Sequence, residues 1–451
     1  MHLTRRSFLV GTGAISAASL MPGLGMINSR AQAVDDYKAL VCVFLYGGND
    51  GNNTIIPLTG AEYAAYSAVR EPGGVAIAQS NVVPLDQASG TRLGLHPSLA
   101  PLQSIWNSNA MALMLNAGPL IRPMTRAEYL ARAPRPDNLF SHDDQARQWQ
   151  SGTYSGVIDF GMGGRISDRM SGMNTGSSVP MNMTTADNDV FLIGQNTAPF
   201  GVPTYGTFGV QGFGNNRAQH PRFLAMQALQ ATDRSNLIVK AAQDSISGAI
   251  AASSILNGVV NNNASVVAPH FSRINNSLAR QLFIVAKLIE GRAQTGLKRQ
   301  VFFVAQGGYD THSDQLNDHA NRLSELGVAL KAFYDATVTL NVASKVTSFT
   351  MSDFGRTLKP NDGGTDHAWG NHHLVIGAGV RGGQSYGALP TLQLGGPSDS
   401  GGEGRWIPTT SVDQYAGALA RWFGVPDADL PAMFPQLANF GGVAGLPALM
   451  A

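Results

Sequence analysis

The sequence predicts an α/β fold: a wound, mostly parallel sheet with helices on both faces, plus a loop-rich insertion. Two observations predict it. Five short apolar runs read as strands buried on both faces, as strands of a parallel sheet are. Helical patterns alternate with the later runs, as strand–helix–strand units require. The chain has 451 residues, 43% hydrophobic and only 14% charged. That composition excludes a disordered chain, a coiled coil and a disulfide-stapled miniature. The single cysteine, Cys42, excludes an internal disulfide and a cysteine metal cluster. A formal charge of +1 leaves no basic footprint for nucleic acid.

The first 33 residues read as an export signal rather than as fold. Thr4-Arg5-Arg6-Ser7-Phe8-Leu9 is a twin-arginine pattern, and Ala31-Gln32-Ala33 is an A-x-A cleavage site. The apolar stretch between them is short and broken by Gly11, Gly13, Pro22 and Gly23, unlike a membrane anchor. Removing 1–33 takes away three of the 31 basic residues and none of the 30 acidic ones, leaving a net charge of −2. The expectation is a periplasmic or secreted protein handled by the twin-arginine export machinery, with no stable membrane span after cleavage. Residues 34–451 then form a single domain.

Within that domain the predicted strands are 39–46, 111–116, 300–305, 346–351 and 373–376. Helix 273–290 spaces Leu278, Leu282, Ile284, Val285 and Leu288 along one face, and 320–337 does the same with Leu323, Leu326, Leu330, Phe333 and Tyr334. A last helix is expected over 411–423. Residues 152–270 are weakly periodic and rich in Gly, Asn, Ser, Thr and Met. They read as an insertion or cap over the sheet, with one helix near 222–232.

Ligands of wound parallel sheets bind beyond the carboxyl ends of the strands. The first run is followed by Gly47-Gly48-Asn49-Asp50, the run at 300–305 by Gly307-Gly308-Tyr309-Asp310-Thr311-His312, and that at 346–351 by Ser352-Asp353-Phe354-Gly355-Arg356-Thr357. Gly364-Thr365-Asp366-His367 lies just before the run at 373–376. Asp50, Asp310 and Asp353 brought together would repel unless a cation neutralised them. Histidine with carboxylate suits zinc, and oxygen-rich sets suit magnesium, calcium or manganese, so one or two divalent ions are expected. A lone Asp after a strand is more often a turn-maker or cap. Four such loops, weighted by His312 and His367, favour a polar site. His142 is a candidate to line the pocket and His319 a weaker one. Of His372 and His373, which are adjacent, at most one reaches the site. His96 reads as a cap on the segment after it.

Ser141 is either a nucleophile at a helix start or simply an N-cap, with Asp144 mimicking a capping box; the two roles are compatible. Arg356 either clamps an anion or pairs with Asp353 or a helix end. The chain has no Walker loop, no GxGxxG and no GxSxG.

These segments, with Tyr46-Gly47-Gly48-Asn49-Asp50-Gly51 and Ser141-His142-Asp143-Asp144-Gln145, resemble the secreted domain-of-unknown-function 1501 family. That family is grouped with the alkaline phosphatase and sulfatase superfamily. The resemblance implies a metal-centred site for phosphate or sulfate esters. It implies one metal on Asp310, His312 and His367, and a second on Asp50, Asp353 and the nucleophile Ser141. The spacing of Asp310 and His312 is D-x-H where the superfamily has D-x-x-x-H. Phe354 stands where a ligating histidine is usual, so either one metal binds, or His142 or another group substitutes, or the site is not catalytic. The leading expectation is an exported metal-dependent hydrolase of a small anionic ester or glycan, in which Ser141 attacks and Arg356 steadies charge. Its rival is a non-catalytic binding or assembly protein of the cell envelope. A weaker third reading, from the Gly/Asn-rich loops, is a surface-layer or polysaccharide-binding protein.

Overall fold

Strand β1 (Lys38–Leu45) lies at the centre of the sheet, between β5 (Arg299–Gln306) and β6 (Val346–Ser352). Both pairings are parallel and in unbroken register, Lys38 against Arg299 to Leu45 against Gln306, and Ala39 against Val346 to Leu45 against Ser352. Every residue of β1 after Lys38 is buried, so both faces of the strand are covered. Burying side chains such as Val41, Val43 and Phe44 contributes about 1.5–3 kcal/mol each. Cys42 lies buried in this strand as a free thiol.

The computed structural model describes residues 36–87, 92–187, 190–207, 209, 220–230 and 236–451. The export signal expected over 1–33 lies outside the described residues. Tyr37–Ala451 forms one compact unit. Among the described residues nine strands make the main sheet. The other six are β2 (Met111–Gly118), β3 (Asn182–Thr184), β4 (Phe200–Gly201), β7 (Asn371–Ile376), β8 (Ser385–Tyr386) and β9 (Thr410–Ser411), and the order is β8–β2–β7–β6–β1–β5–β3–β4, with β9 also on β2. Only β7 runs against the rest, antiparallel to β2 and β6. This reversal carries the loop before β7, rather than the loop after it, to the carboxyl edge of the parallel strands.

Part of 152–270 is sheet rather than cap. Strands β3 and β4 extend the sheet beyond β5, because Asn182–Thr184 pairs in parallel with Val301–Phe303. Two and three residues are too few to show a period in sequence.

Outside 152–270 the helices fall close to expectation; within it, beside the expected helix at His220–Gln230, the chain also forms helices at Met162–Met170 and, over 24 residues, at Leu237–Val260. Helix α1 (Gly51–Thr54) and α2 (Gly60–Arg70) follow β1. Helix α3 (His142–Ser151) starts on Ser141 as N-cap. Helices α4 (Ser277–Glu290) and α5 (Gln315–Thr339) pack on each other, and α4 also on β5. Helix α6 (Val412–Phe423) begins with a Ser411–Gln414 capping box and packs on β1 and β2. Among the described residues no helix is long and apolar enough to cross a membrane.

Candidate metal centre at the sheet edge

Three loops meet where β1, β5 and β6 end, and Arg356 ties them together. Its guanidinium is fully buried. Nε donates to Gly48 O at 2.9 Å, Nη2 to Gly47 O at 2.6 Å and to the Asp310 carboxylate, and Nη1 to Thr365 O. Every arm of the fork is engaged, so Arg356 does not face a ligand as a free anion clamp. It holds Asp310 in place. Gly47 and Gly48 have φ of 112° and 78°; a Cβ on Gly47 would strike the Asp310 backbone and one on Gly48 the Phe354 ring.

Asp310 is the hub. Its Oδ1 lies 2.9 Å from His312 Nε2, 3.4 Å from His367 Nε2 and 3.5 Å from His142 Nε2. The two nitrogens of His312 and His367 are 3.2 Å apart. The four side chains are partly exposed, from 27% for His367 to 47% for Asp310, so the hub opens to solvent. Burial opposes ionisation of Asp310, but the Arg356 guanidinium, with His142 and His312, outweighs it and holds the carboxyl below its usual range.

The imidazoles are oriented from behind. Phe140 O sits 2.9 Å from His367 Nδ1; a carbonyl only accepts, so Nδ1 carries the proton and Nε2 offers its lone pair to the hub. Phe140 adopts φ of 75°, rare for a bulky residue and costing of order 1–3 kcal/mol; the Gln145 side chain accepts its N–H while the carbonyl serves His367. Asp353, buried at the end of β6, places Oδ2 2.7 Å from His142 Nδ1 and accepts Gly47 N–H at 3.0 Å. That bond raises the pKa of His142 against the effect of burial. Burial, by contrast, lowers the pKa of His367, despite its bond to Phe140. Phe354 lies under both rings, 4.7 Å from each centroid, while the rings of His142 and His367 stand edge-on at 4.3 Å.

These residues fit a divalent cation. His142, Asp310 and His367 each point a ligating atom within 4.8 Å of the others. With Nδ1 protonated on both rings, two lone pairs face a carboxylate oxygen, an arrangement that a bound cation or a proton on Nε2 relieves. His142 Nε2 is buried and has no hydrogen-bond partner. Nitrogen donors with one carboxylate suit zinc, and the backing by Asp353 and Phe140 is the usual support of ligating histidines.

The structure departs from the sequence reading at Asp50 and Asp353, pairs Arg356 with Asp310 rather than with Asp353, and realises the N-cap reading of Ser141. Asp50 is not at the hub: it is buried, bridged to Arg70 at 2.5 Å, and accepts from Gln315 Nε2 at 2.6 Å and Asn52 N–H at 3.0 Å. Burial alone would raise its pKa; Arg70 more than cancels that and keeps it ionised. Asp353 supports His142 instead of joining the gathered set. Among the described residues, one set of ligands is gathered, not two. Ser141 caps α3, its hydroxyl donating to Asp144 Oδ2 at 2.6 Å. His142, the next residue, brings Nε2 within 3.5 Å of Asp310 Oδ1, with the Phe354 ring packed against its own.

Four further histidines, His96, His319, His372 and His373, are buried and held by the fold. His319 is buried with Nε2 2.9 Å from Asn49 Oδ1, and His96 accepts from Ser98 N–H as the cap of Pro97–Leu102. His372 accepts from Asn116 N–H, and His373 packs on Trp149. Asp366, which the sequence did not single out, stands 3.4 Å from His312 Nδ1.

The family model described as Protein of unknown function (DUF1501) matches residues 37–396. No curated protein gives a significant match. Among solved structures, the chain resembles the zinc complex of the C-terminal periplasmic domain of EcEptC from Escherichia coli at 9% identity, covering 87% of this chain and 85% of that one with a TM-score of 0.36. It resembles the PsFucS1 sulfatase from Pseudoalteromonas sp. at 9% identity, covering 87% and 68% with a TM-score of 0.33. The Thermus thermophilus alkaline phosphatase matches at 13% identity over 71% and 60%, with a TM-score of 0.28.

Proposed function

The chain belongs to the family described as Protein of unknown function (DUF1501), and we propose that it is an exported hydrolase of phosphate or sulfate esters working with one divalent cation. The observation that carries this reading is the convergence of His142 Nε2, Asp310 Oδ1 and His367 Nε2 on one half-open point at the carboxyl edge of the sheet. Bound there, a cation supplies Lewis-acid polarisation of the ester and lowers the pKa of a water. The protein's own groups do the rest. Asp353 and Phe140 keep the Nδ1 protons of His142 and His367 in place, so both rings hold their lone pairs on the hub. Arg356 aims the Asp310 carboxylate. His312, 2.9 Å from Asp310 and backed by Asp366, stands at the open side, placed to donate a proton to a leaving oxygen. Ser141 serves as the cap that launches α3 and so places His142. The twin-arginine start assigns the reaction to the periplasm or the exterior.

The test is elemental analysis of the purified mature protein together with turnover of a phosphate and sulfate ester panel, with Asp310→Asn as control. One bound ion and turnover lost in the control are expected. Metal-free protein that turns over no ester would overturn the reading. One observation favours a non-catalytic binding protein instead: Asp50 is closed off by Arg70, so a second ion has no ligand there. An ion-loaded protein that hydrolyses nothing would support that alternative.

A further inference from the structure

A second recess opens beside the hub at the same edge, where β1, β5, β3 and β4 end. It encloses about 910 Å³ and is walled by Tyr46, Thr185, Asp187, Thr204, Tyr205 and Ser277, among others. That volume is at the upper end of small-molecule sites, about 300–1,000 Å³. Its chemistry differs from that of the hub. Among the described residues no Lys or Arg lines it, so it is not built for a phosphate or sulfate. Six hydroxyls do, counting Thr184, with two tyrosine rings and one carboxylate. Thr185 Oγ1 is buried there without a hydrogen-bond partner. The Tyr205 ring is 67% exposed, with the Arg280 guanidinium 5.3 Å from its centroid. Flat rings and fixed hydroxyls match a polyol, which offers C–H faces to the rings and donor–acceptor hydroxyls to the walls.

The recess and the hub share two loops. Tyr46 lines the recess, and the next residue, Gly47, lies so close to Asp310 that a Cβ on it would strike the Asp310 backbone. Tyr46 O also accepts Tyr309 N–H at 3.2 Å. Gly307 lines the recess three residues before Asp310, which caps their separation at about 11 Å. We infer that this recess is a saccharide subsite, holding uncharged sugar rings of a glycan whose ester group lies at Asp310; its link to the hub rests on the hydrolase reading.

The test is saturation-transfer NMR on the full mature chain with maltotriose, cellotriose and N,N′,N″-triacetylchitotriose, with and without EDTA. At least one of these neutral probes binds, and chelation leaves that binding unchanged. Tyr205→Ala weakens it by about tenfold and Tyr205→Phe by less than about threefold. Thermal melts of both variants stay at the wild-type value, because the ring is exposed. The proposal is overturned if no neutral probe binds, or if Tyr205→Ala binds as the wild type does. Hydrolysis of 4-nitrophenyl sulfate or phosphate separates the two readings. Sugar binding without any metal or turnover sinks the hydrolase and spares the subsite. Turnover without sugar binding sinks the subsite alone.

Discussion

Replacing Asp353 separates a ligand-supporting carboxylate from a ligand. Its Oδ2 holds His142 Nδ1 at 2.7 Å and Gly47 N–H at 3.0 Å, while Oδ1 is buried and unpartnered. Asparagine has the same shape and accepts both bonds through its carbonyl, so Asp353→Asn keeps the ring orientation and loses the charge. Charge-assisted hydrogen bonds are about twice as strong as neutral ones. Removing the partner behind a metal-bound histidine costs about 10–100-fold in affinity, or about 1.4–2.7 kcal/mol. The expected ranking at pH 8 is therefore wild type, then Asp353→Asn about tenfold weaker, then Asp353→Ala near a hundredfold weaker. Chelator competition for zinc reads these ratios directly, and circular dichroism checks that each variant is folded. Equal affinity in all three proteins would refute the argument that Asp353 acts through His142. Loss of all binding in the asparagine variant would instead make Asp353 a direct ligand.

Asp50→Ala leaves Arg70 as an uncompensated buried charge, costing about 3–5 kcal/mol of stability in urea titration; the metal content of the folded fraction stays at the wild-type value, and a drop would restore Asp50 as a ligand. Ser141→Ala removes the cap of α3 and costs about 1 kcal/mol, with turnover retained; abolished turnover at full metal loading would make Ser141 the nucleophile. Asp413, buried and bonded by Tyr154, has its pKa raised to about 6 from 3.8, chiefly by burial. Its neutral form is the one the fold favours, so its contribution is full below pH 3.8 and is lost as pH rises through 6, roughly 3 kcal/mol in all. Urea titrations at pH 4 and 7 in the wild type and Asp413→Asn check this: the variant lacks that part of the pH dependence.

Much of the sheet is legible in the sequence because β1, β5 and β6 are runs of seven or eight residues, almost all buried. Their length and continuity are intrinsic. Strands β3, β4, β8 and β9 are two or three residues long and exist only because a neighbour pairs with them. The direction of β7 is likewise a tertiary fact, yet it decides which flanking loop brings His367 to the edge. His312 and His367 stand out because glycine-rich loops deliver them. The support for His142 does not: Asp353 is 211 residues away. Asp50 misleads for a simple reason. An Asp after a strand looks the same whether a cation or a guanidinium neutralises it, and Arg70 lies on α2, which shows no link to Asp50 in sequence. The left-handed Phe140 carries no glycine or asparagine to announce it.

Zinc uptake by the mature protein, followed by X-ray absorption at the metal edge, bears on the hub most directly. One equivalent per chain is expected, with two or three nitrogen ligands at about 2.0–2.1 Å and one carboxylate oxygen, and it is lost in His142→Ala, Asp310→Ala and His367→Ala. A protein that takes up no ion, or holds one that survives all three substitutions, contradicts the assignment.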